Sequence, residues 1–272
     1  MTRLRTTMLA VLGTVLSGCI GATDVFAPQR HAARPDAQGL DIRGEDELGP
    51  LRHERLDLGG QRIALSSLGA PGEGPLIVSC FGNASDRRVN GIDYLRKLQP
   101  HGEAVVWDYP GYADSTGVAE VEVFDAVIAD LMPVLAERAG DRPLVLWGHS
   151  LGGFVCAQMA ARSDAVDALV LETTAPNVRQ VAREWLPVGM GRLIPIAGAL
   201  KRYDTPAALA DFDGPVLILG AGRDRVLPVS LSRQLAEALP RARYLELPEA
   251  THYSAGFDPR AQAAVAAMLD GL

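Results

Sequence analysis

The segment Gly148-His149-Ser150-Leu151-Gly152 most constrains how this chain can fold, because it joins two elements through one sharp turn. The apolar residues 144–147 before it predict a buried strand, and residues 153–161 after it predict a helix. A turn this tight lifts the serine hydroxyl above a sheet and strains the serine backbone. A Cβ atom two residues before or after the serine would crowd the turn, which explains a glycine at both places.

A G-x-S-x-G pattern between a strand and a helix is typical of a nucleophile elbow, in which the serine attacks a carbonyl group. The pattern alone is a weak signal, because the chain contains 28 glycines and short glycine motifs arise by chance. Its interpretation therefore depends on whether a carboxylate and then a histidine follow the serine along the chain.

The histidine partner is predicted by elimination along the chain. Of the five histidines, only His252 follows the elbow, in a loop after the strand-like residues 244–247. His149 adjoins the serine but points elsewhere on the turn, so it is not expected to act as its base. We predict that His252 is the general base of Ser150, the alternative being a surface histidine with no catalytic part.

The acidic partner is predicted at Asp224, which comes just after the apolar, strand-like residues 216–219. A residue at the carboxyl end of a parallel strand lies on the edge where α/β sheets place their ligands. There Asp224 would accept the Nδ1–H group of His252 and fix its tautomer. Two alternatives remain open: a solvated carboxylate paired with a neighbouring arginine, and Glu172 as the catalytic acid.

Two backbone N–H groups are expected to stabilise the oxyanion that such a reaction forms. One belongs to Leu151, directly after the nucleophile, and the other comes from the loop after the third strand. We predict the main chain of Asn83 as the second donor, with Ala84 as the next choice. An ordinary turn between a strand and a helix fits the same residues.

Three further segments carry a resemblance to a known family: Phe81-Gly82-Asn83-Ala84, the stretch from Trp107 to Gly117, and Arg202-Tyr203-Asp204-Thr205. With the elbow, they resemble small-lidded α/β-hydrolases, the group that includes bud-emergence-type and depalmitoylase-like hydrolases. Phe81 stands where that group commonly has histidine, and Ala113 where it has glycine. The resemblance implies hydrolysis of acyl esters or thioesters through Ser150, His252 and Asp224, with no cofactor or metal.

The order of predicted elements fits the same fold class, α/β. Eight strand patterns alternate with helices, which predicts a mostly parallel eight-stranded sheet with helices on both faces. The strands are predicted at 55–58, 62–68, 76–80, 104–108, 144–147, 168–171, 216–219 and 243–247, and the first helix is predicted near 91–98. The α/β-hydrolase domain is predicted over 51–272, with a short cap over 173–212 that covers the serine.

The N-terminus predicts a lipoprotein signal peptide over residues 1–18. Arg3 and Arg5 precede a short apolar run, too short to span a bilayer, which ends in Leu16-Ser17-Gly18-Cys19. This ending resembles a bacterial lipobox, which implies lipidation of Cys19. Residues 19–50 are then expected to form a flexible tether, and Ile20 favours the periplasmic face of the outer membrane. The alternative is an ordinary signal peptide with a chance cysteine.

Charge and cysteine content limit the kinds of partner and bound metal that the chain is expected to have. The net charge is −7, with acids and bases interspersed, so no nucleic-acid partner is expected. Cys80 and Cys156 lie in apolar elements and are predicted to be buried free thiols rather than metal ligands. The predicted partners are a small acyl substrate and, through Cys19, a membrane, with the protein a monomer. A peptidase or amidase on the same triad, and a non-catalytic surface binding lipoprotein, are the alternatives.

Overall fold

The structure is a computed structural model that describes residues 25–26, 40, 42–69, 72, 74–185 and 195–272. It contains all eight strands that the sequence predicts. They are β1 (Arg52–Leu58), β2 (Gln61–Leu68), β3 (Leu76–Cys80), β4 (Glu103–Trp107), β5 (Leu144–His149), β6 (Ala168–Glu172), β7 (Val216–Ala221) and β8 (Arg243–Leu247).

Seven α-helices occur within the described residues. They are α1 (Arg87–Leu98), α2 (Val121–Ala139), α3 (Leu151–Ala160), α4 (Val178–Trp185), α5 (Thr205–Ala208), α6 (Val229–Ala238) and α7 (Pro259–Leu269). Short 3-10 helices add Glu45–Glu47, Gln99–His101, Gly198–Arg202 and Ala255–Phe257.

The strands form one sheet in the order β1-β2-β4-β3-β5-β6-β7-β8. β2 pairs antiparallel with both β1 and β4, while every pairing from β4 to β8 is parallel. Every residue of the four central strands is buried, so both faces of the sheet are covered. The predicted fold class, a mostly parallel sheet in the α/β-hydrolase arrangement, is confirmed.

The first helix begins four residues before the position that the apolar pattern predicted. The helix was expected near 91–98, whereas α1 begins at Arg87. Asp86 explains the difference, because its side chain accepts a hydrogen bond from the Val89 N–H group at 2.8 Å. This contact satisfies a backbone donor of the first turn, which lets the helix begin before its apolar face does.

The segment between β6 and β7 contains α4, the 3-10 helix Gly198–Arg202 and α5. It is fastened to α3, since the Gln158 side chain donates to the Arg202 carbonyl at 2.8 Å. Part of the predicted cap, residues 186–194, lies outside the described residues. The cap boundaries at 173 and 212 therefore stay a prediction.

The described residues of the predicted tether pack on the domain. Phe26 and Ile42 are 1% and 2% exposed, and the Leu40 carbonyl accepts a hydrogen bond from Arg87. Burying these apolar side chains opposes the free motion expected of this stretch, so the expectation of a free tether was wrong for these residues. Residues 1–24, with the predicted signal peptide and Cys19, lie outside the described residues. No helix among those described is long and apolar enough to cross a membrane.

Candidate active site

The elbow has the strained geometry that its sequence predicts. Ser150 has φ 55° and ψ −118°, and residues other than glycine rarely adopt such a positive φ. A Cβ atom on Gly148 would lie 2.4 Å from the Gly152 carbonyl oxygen, and one on Gly152 would lie 2.0 Å from the Cys80 carbonyl oxygen. The serine backbone is held by its N–H group, which donates to the Glu172 carbonyl at 2.9 Å. The turn is therefore fixed between β3 and β6.

His252 and Asp224 are brought together from separate loops. His252 Nδ1 lies 2.7 Å from Asp224 Oδ2, and the two side chains are 4% and 1% exposed. The other oxygen, Asp224 Oδ1, accepts from the N–H groups of Val226 and Leu227 at 2.7 and 2.8 Å. A carboxylate on Nδ1 keeps the proton there and leaves the lone pair on Nε2, the tautomer that a general base needs.

Glu172, the alternative catalytic acid, forms hydrogen bonds with three other groups. Its carboxylate accepts from Lys97 Nζ at 2.6 Å, from Trp147 Nε1 at 2.8 Å and from the Gly256 N–H group at 2.8 Å. Burial by itself would raise the pKa of Glu172, but Lys97, His149 and these hydrogen bonds outweigh burial and lower the pKa to about 2. Glu172 therefore anchors the loop after His252 to the end of β6.

His149 links the two sides of the site. Its Nε2 lies 2.8 Å from the His252 carbonyl oxygen, which only accepts, so Nε2 carries the proton. Its Nδ1 then accepts from the Tyr94 hydroxyl at 2.7 Å, and that hydroxyl accepts from the Gly82 N–H group at 3.3 Å. This hydrogen-bonded chain joins the loop after β3 to the backbone of His252.

Sequence reasoning missed Tyr94 and Lys97, because single polar residues within an amphipathic helix carry no distinctive signal. The Lys97 ammonium is 4.5 Å from the centre of the Tyr94 ring and 5.2 Å from that of Trp147. Such cation–π contacts help to compensate for burying a charge. A cleft of about 150 Å³ opens here, lined in part by Tyr94, His149, Tyr253 and Phe257.

The predicted oxyanion loop lies against the serine. A Cβ atom on Gly82 would be 3.4 Å from Ser150 Cβ, so the loop after β3 reaches the elbow. The Asn83 side-chain oxygen accepts from the Ala84 N–H group at 2.9 Å and from the Tyr112 hydroxyl at 3.4 Å. Leu151 is the first residue of α3, where a backbone N–H group has no partner within the helix. The roles of Leu151 and Asn83 as oxyanion donors stay predictions.

The segment from Trp107 to Gly117 packs against the predicted oxyanion loop and supports it. The Tyr109 hydroxyl donates to the Phe81 carbonyl at 2.9 Å. Phe81 itself is fully buried and meets the Tyr94 ring edge-on at 4.6 Å. Ala113 has φ 36°, a region in which glycine is favoured.

The two cysteines of the folded part are confirmed as buried free thiols. Cys80 Sγ lies 3.5 Å from the sulfur of Met159, in the apolar layer beneath the elbow. Among the described residues, no group of three or more His, Cys, Asp or Glu side chains is arranged to hold a metal ion.

The fold and the elbow together define the class of protein, and comparison with known proteins agrees. Residues 76–199 match the family described as alpha/beta hydrolase fold. An uncharacterized protein of Mycobacterium tuberculosis is 30% identical over 259 residues, which cover 90% of this chain and 87% of that protein. The chain belongs to the α/β-hydrolase family.

More particular similarities connect the chain to enzymes that act on lipids. Lysophosphatidylserine lipase ABHD12 of Danio rerio is 29% identical over 188 residues, which cover 63% of this chain and 49% of that protein. The lipase of the same name from Rattus norvegicus is 30% identical over 178 residues, which cover 59% of this chain and 44% of that protein. The chain thus spans about half the length of these lipases.

Solved structures support the fold alone, because their sequence identities are low. An esterase of Pyrococcus furiosus superposes with a TM-score of 0.66 at 12% identity, over 91% of this chain and 98% of that one. Est1E of Butyrivibrio proteoclasticus, bound to ferulic acid, gives a TM-score of 0.61 at 17% identity, over 80% of this chain and 97% of that one.

Proposed function

We propose that the protein is a serine hydrolase that cleaves acyl esters through Ser150, His252 and Asp224. The observation that carries the proposal is the 2.7 Å contact between His252 Nδ1 and Asp224 Oδ2 beside a strained serine elbow. A surface histidine paired with a solvated carboxylate would be exposed, whereas both side chains here are almost completely buried.

The proposed reaction passes through an acyl-enzyme. His252 Nε2 takes the Ser150 proton while Ser150 Oγ attacks the acyl carbonyl, and Asp224 stabilises the imidazolium that forms. The N–H groups of Leu151 and Asn83 stabilise the oxyanion. His252 returns the proton to the leaving alcohol or thiol, and water then reverses the sequence to release the acid.

The proposed substrate class is an acyl ester or thioester of a lipid. The lipases named for lysophosphatidylserine support an acyl ester, and the resemblance to depalmitoylase-like hydrolases supports a thioester. Peptidase or amidase activity on the same triad is the alternative, and a panel of esters, thioesters and aminoacyl amides of equal acyl length separates these reactions.

The proposed location is the bacterial cell envelope, with the protein anchored by lipid on Cys19 at the periplasmic face of the outer membrane. The sequence Leu16-Ser17-Gly18-Cys19 after a short apolar run supports this. Mass spectrometry of the mature N-terminus tests it, since cleavage elsewhere or an unmodified Cys19 contradicts the anchor.

Substitution of the triad tests the catalytic proposal. Ser150→Ala is expected to abolish fluorophosphonate labelling, and Asp224→Asn to lower kcat by about 10⁴-fold because His252 loses its required tautomer. Ser163→Ala, a serine outside the site, serves as the matched control and is expected to keep full labelling. Labelling that persists in Ser150→Ala would refute the assignment of the nucleophile.

A further inference from the structure

The chain that precedes the domain is fastened to it at Phe26. The Phe26 ring stacks on Phe124 at a centroid distance of 4.5 Å and meets Tyr203 edge-on at 5.3 Å. Complete burial of such a ring contributes about 2–3 kcal/mol. Phe26 is therefore a fixed point of attachment to the domain, well before the first strand.

This point of attachment lies at the carboxyl edge of the sheet. Phe124 is in the first turn of α2, which follows the loop from the carboxyl end of β4. Within that loop Tyr109 packs on Phe124 at 5.2 Å, and its hydroxyl bonds to the Phe81 carbonyl in the loop against Ser150. Phe26 thus packs at the same edge that holds the candidate triad.

The chain between the lipidation site and this point of attachment is short. Seven residue steps separate Cys19 from Phe26, which span no more than about 25 Å when fully extended. A folded domain of about 220 residues has a radius of gyration of about 17 Å and hence a diameter of about 45 Å. The chain therefore cannot pass around the domain to its opposite edge.

Most of the exposed apolar side chains also lie at the carboxyl edge of the sheet. Among the described residues, four large apolar side chains stand out as exposed: Val118, Tyr253, Phe257 and Leu272. Val118 lies in the loop between β4 and α2, and Tyr253 and Phe257 lie in the loop of His252, so three of the four are at the carboxyl edge. Leu272 follows α7, which leads away from that edge. Amphipathic aromatic side chains favour the interface between lipid and water.

We propose that lipid on Cys19 holds the carboxyl edge of the sheet against the bilayer, so that the site takes its acyl-lipid substrate directly from the membrane surface. The inference rests on the anchor and the hydrolase activity proposed above. It adds a lipid surface as the partner, and Val118, Tyr253 and Phe257 as the side chains that contact it.

Fluorescence quenching in vesicles tests this orientation. Val118→Cys and Leu272→Cys form a matched pair, because both positions are exposed and apolar, and Cys80 and Cys156 are too deeply buried to react with the dye. Each lipidated, full-length variant is labelled and placed in phosphatidylglycerol–phosphatidylethanolamine vesicles that carry a nitroxide lipid quencher. We expect strong quenching at position 118 and little at position 272. Equal quenching at the two positions overturns the inference.

A longer leader tests the cause of the orientation. Insertion of twenty Gly and Ser residues between Ala22 and Thr23 is expected to reduce quenching at position 118 to the level at position 272. Because effective concentration falls roughly with the −3/2 power of linker length, hydrolysis of a monoacyl phospholipid in the same vesicle should fall about 5- to 10-fold. Hydrolysis of a soluble short-chain ester should stay unchanged. Unchanged quenching and lipid hydrolysis, or an equal loss on both substrates, would overturn the inference.

Two further measurements separate this inference from the proposed function. Ser150→Ala in the labelled proteins is expected to keep the quenching pattern, so a failure of the catalytic assignment leaves the orientation result intact. Mass spectrometry of the same samples reports the lipid on Cys19. An unmodified Cys19 refutes the anchor and the inference together, whereas a lipidated Cys19 with equal quenching refutes the orientation alone.

Discussion

His149 is held neutral between two hydrogen bonds that require opposite roles of its ring nitrogens. It donates through Nε2 to the His252 carbonyl and accepts through Nδ1 from the Tyr94 hydroxyl. A protonated ring would turn Nδ1 into a donor and break this arrangement. Burial is the main reason that the pKa of His149 falls to about 4. Its part is to position the backbone of His252 rather than to exchange protons with substrate.

This lowered pKa predicts a loss of stability in weak acid. Between pH 6.5, its ordinary pKa, and about 4, the unfolded chain binds a proton at His149 that the folded chain does not. The free energy of unfolding should therefore fall with pH in this window, by about 2 kcal/mol from this residue between pH 7.5 and pH 5. Urea denaturation at both pH values measures the loss in the wild type and in His149→Gln.

The wild type and His149→Gln have all other titrating groups in common. The difference between their losses of unfolding free energy therefore reports the contribution of His149. The variant should lose about 2 kcal/mol less than the wild type over the same interval. Equal losses would mean that His149 is not the group responsible.

At the scale of elements, Arg87 joins parts of the chain that are distant in sequence. Its side chain is fully buried, pairs with Asp108 and Asp114, and donates to Ser66 Oγ at 2.8 Å and to the Leu40 carbonyl. One guanidinium thus connects α1, β2, the loop after β4 and the N-terminal segment. That loop carries Tyr109 and Tyr112, so Arg87 also helps to position the residues that support the predicted oxyanion loop.

Removal of this guanidinium leaves two carboxylates buried without their main partner. Arg87→Met is expected to lower the free energy of unfolding by about 3–5 kcal/mol, measured by urea denaturation. Arg241→Met is the matched control, because its ion pair with Asp213 is exposed on both sides, and a change within about 0.5 kcal/mol is expected. Similar losses in the two variants would contradict a structural role of the buried network.

At the scale of the whole molecule, the described N-terminal residues Phe26, Leu40 and Ile42 pack on the domain. Phe26 extends an aromatic cluster that continues through Phe124 to Tyr109. This cluster connects the entry of the chain to the loop beside Ser150. The proposed catalytic site and the proposed attachment thus share one edge of the molecule, although Phe26 and Ser150 are 124 positions apart along the chain.

Truncation of the Phe26 ring measures how firmly this segment is held. Phe26→Ala is expected to lower the free energy of unfolding by about 2–3 kcal/mol, the transfer free energy of the ring. Leu272→Ala, which truncates a half-exposed side chain at the far end of the chain, should change it by less than about 0.5 kcal/mol. Thermal and urea denaturation of both variants check the difference, and equal effects would show that Phe26 contributes no docking energy.

Much of the fold was predictable from the chain because its signals are local. Short apolar runs indicated the buried central strands, and Gly59-Gly60 indicated the turn between the first two strands; all eight predicted strands were found in the sheet. The start of α1 was misplaced, because an apolar pattern does not register a capping side chain such as Asp86. The pairing of His252 with Asp224 was predicted from chain order, and the structure places the two side chains in contact.

By itself, the sequence determined the fold class, the elbow at Ser150 and the order of the candidate triad, because each depends on neighbours along the chain or on strand order. Tertiary structure alone decided the partners of Glu172, His149 and Phe26. The contact between Glu172 and Trp147 joins residues 25 positions apart in the chain, and the contacts of His149 with Tyr94 and of Phe26 with Phe124 join residues much farther apart. Local patterns carry no information about such distances, since these contacts exist only after the sheet has brought its loops to one edge.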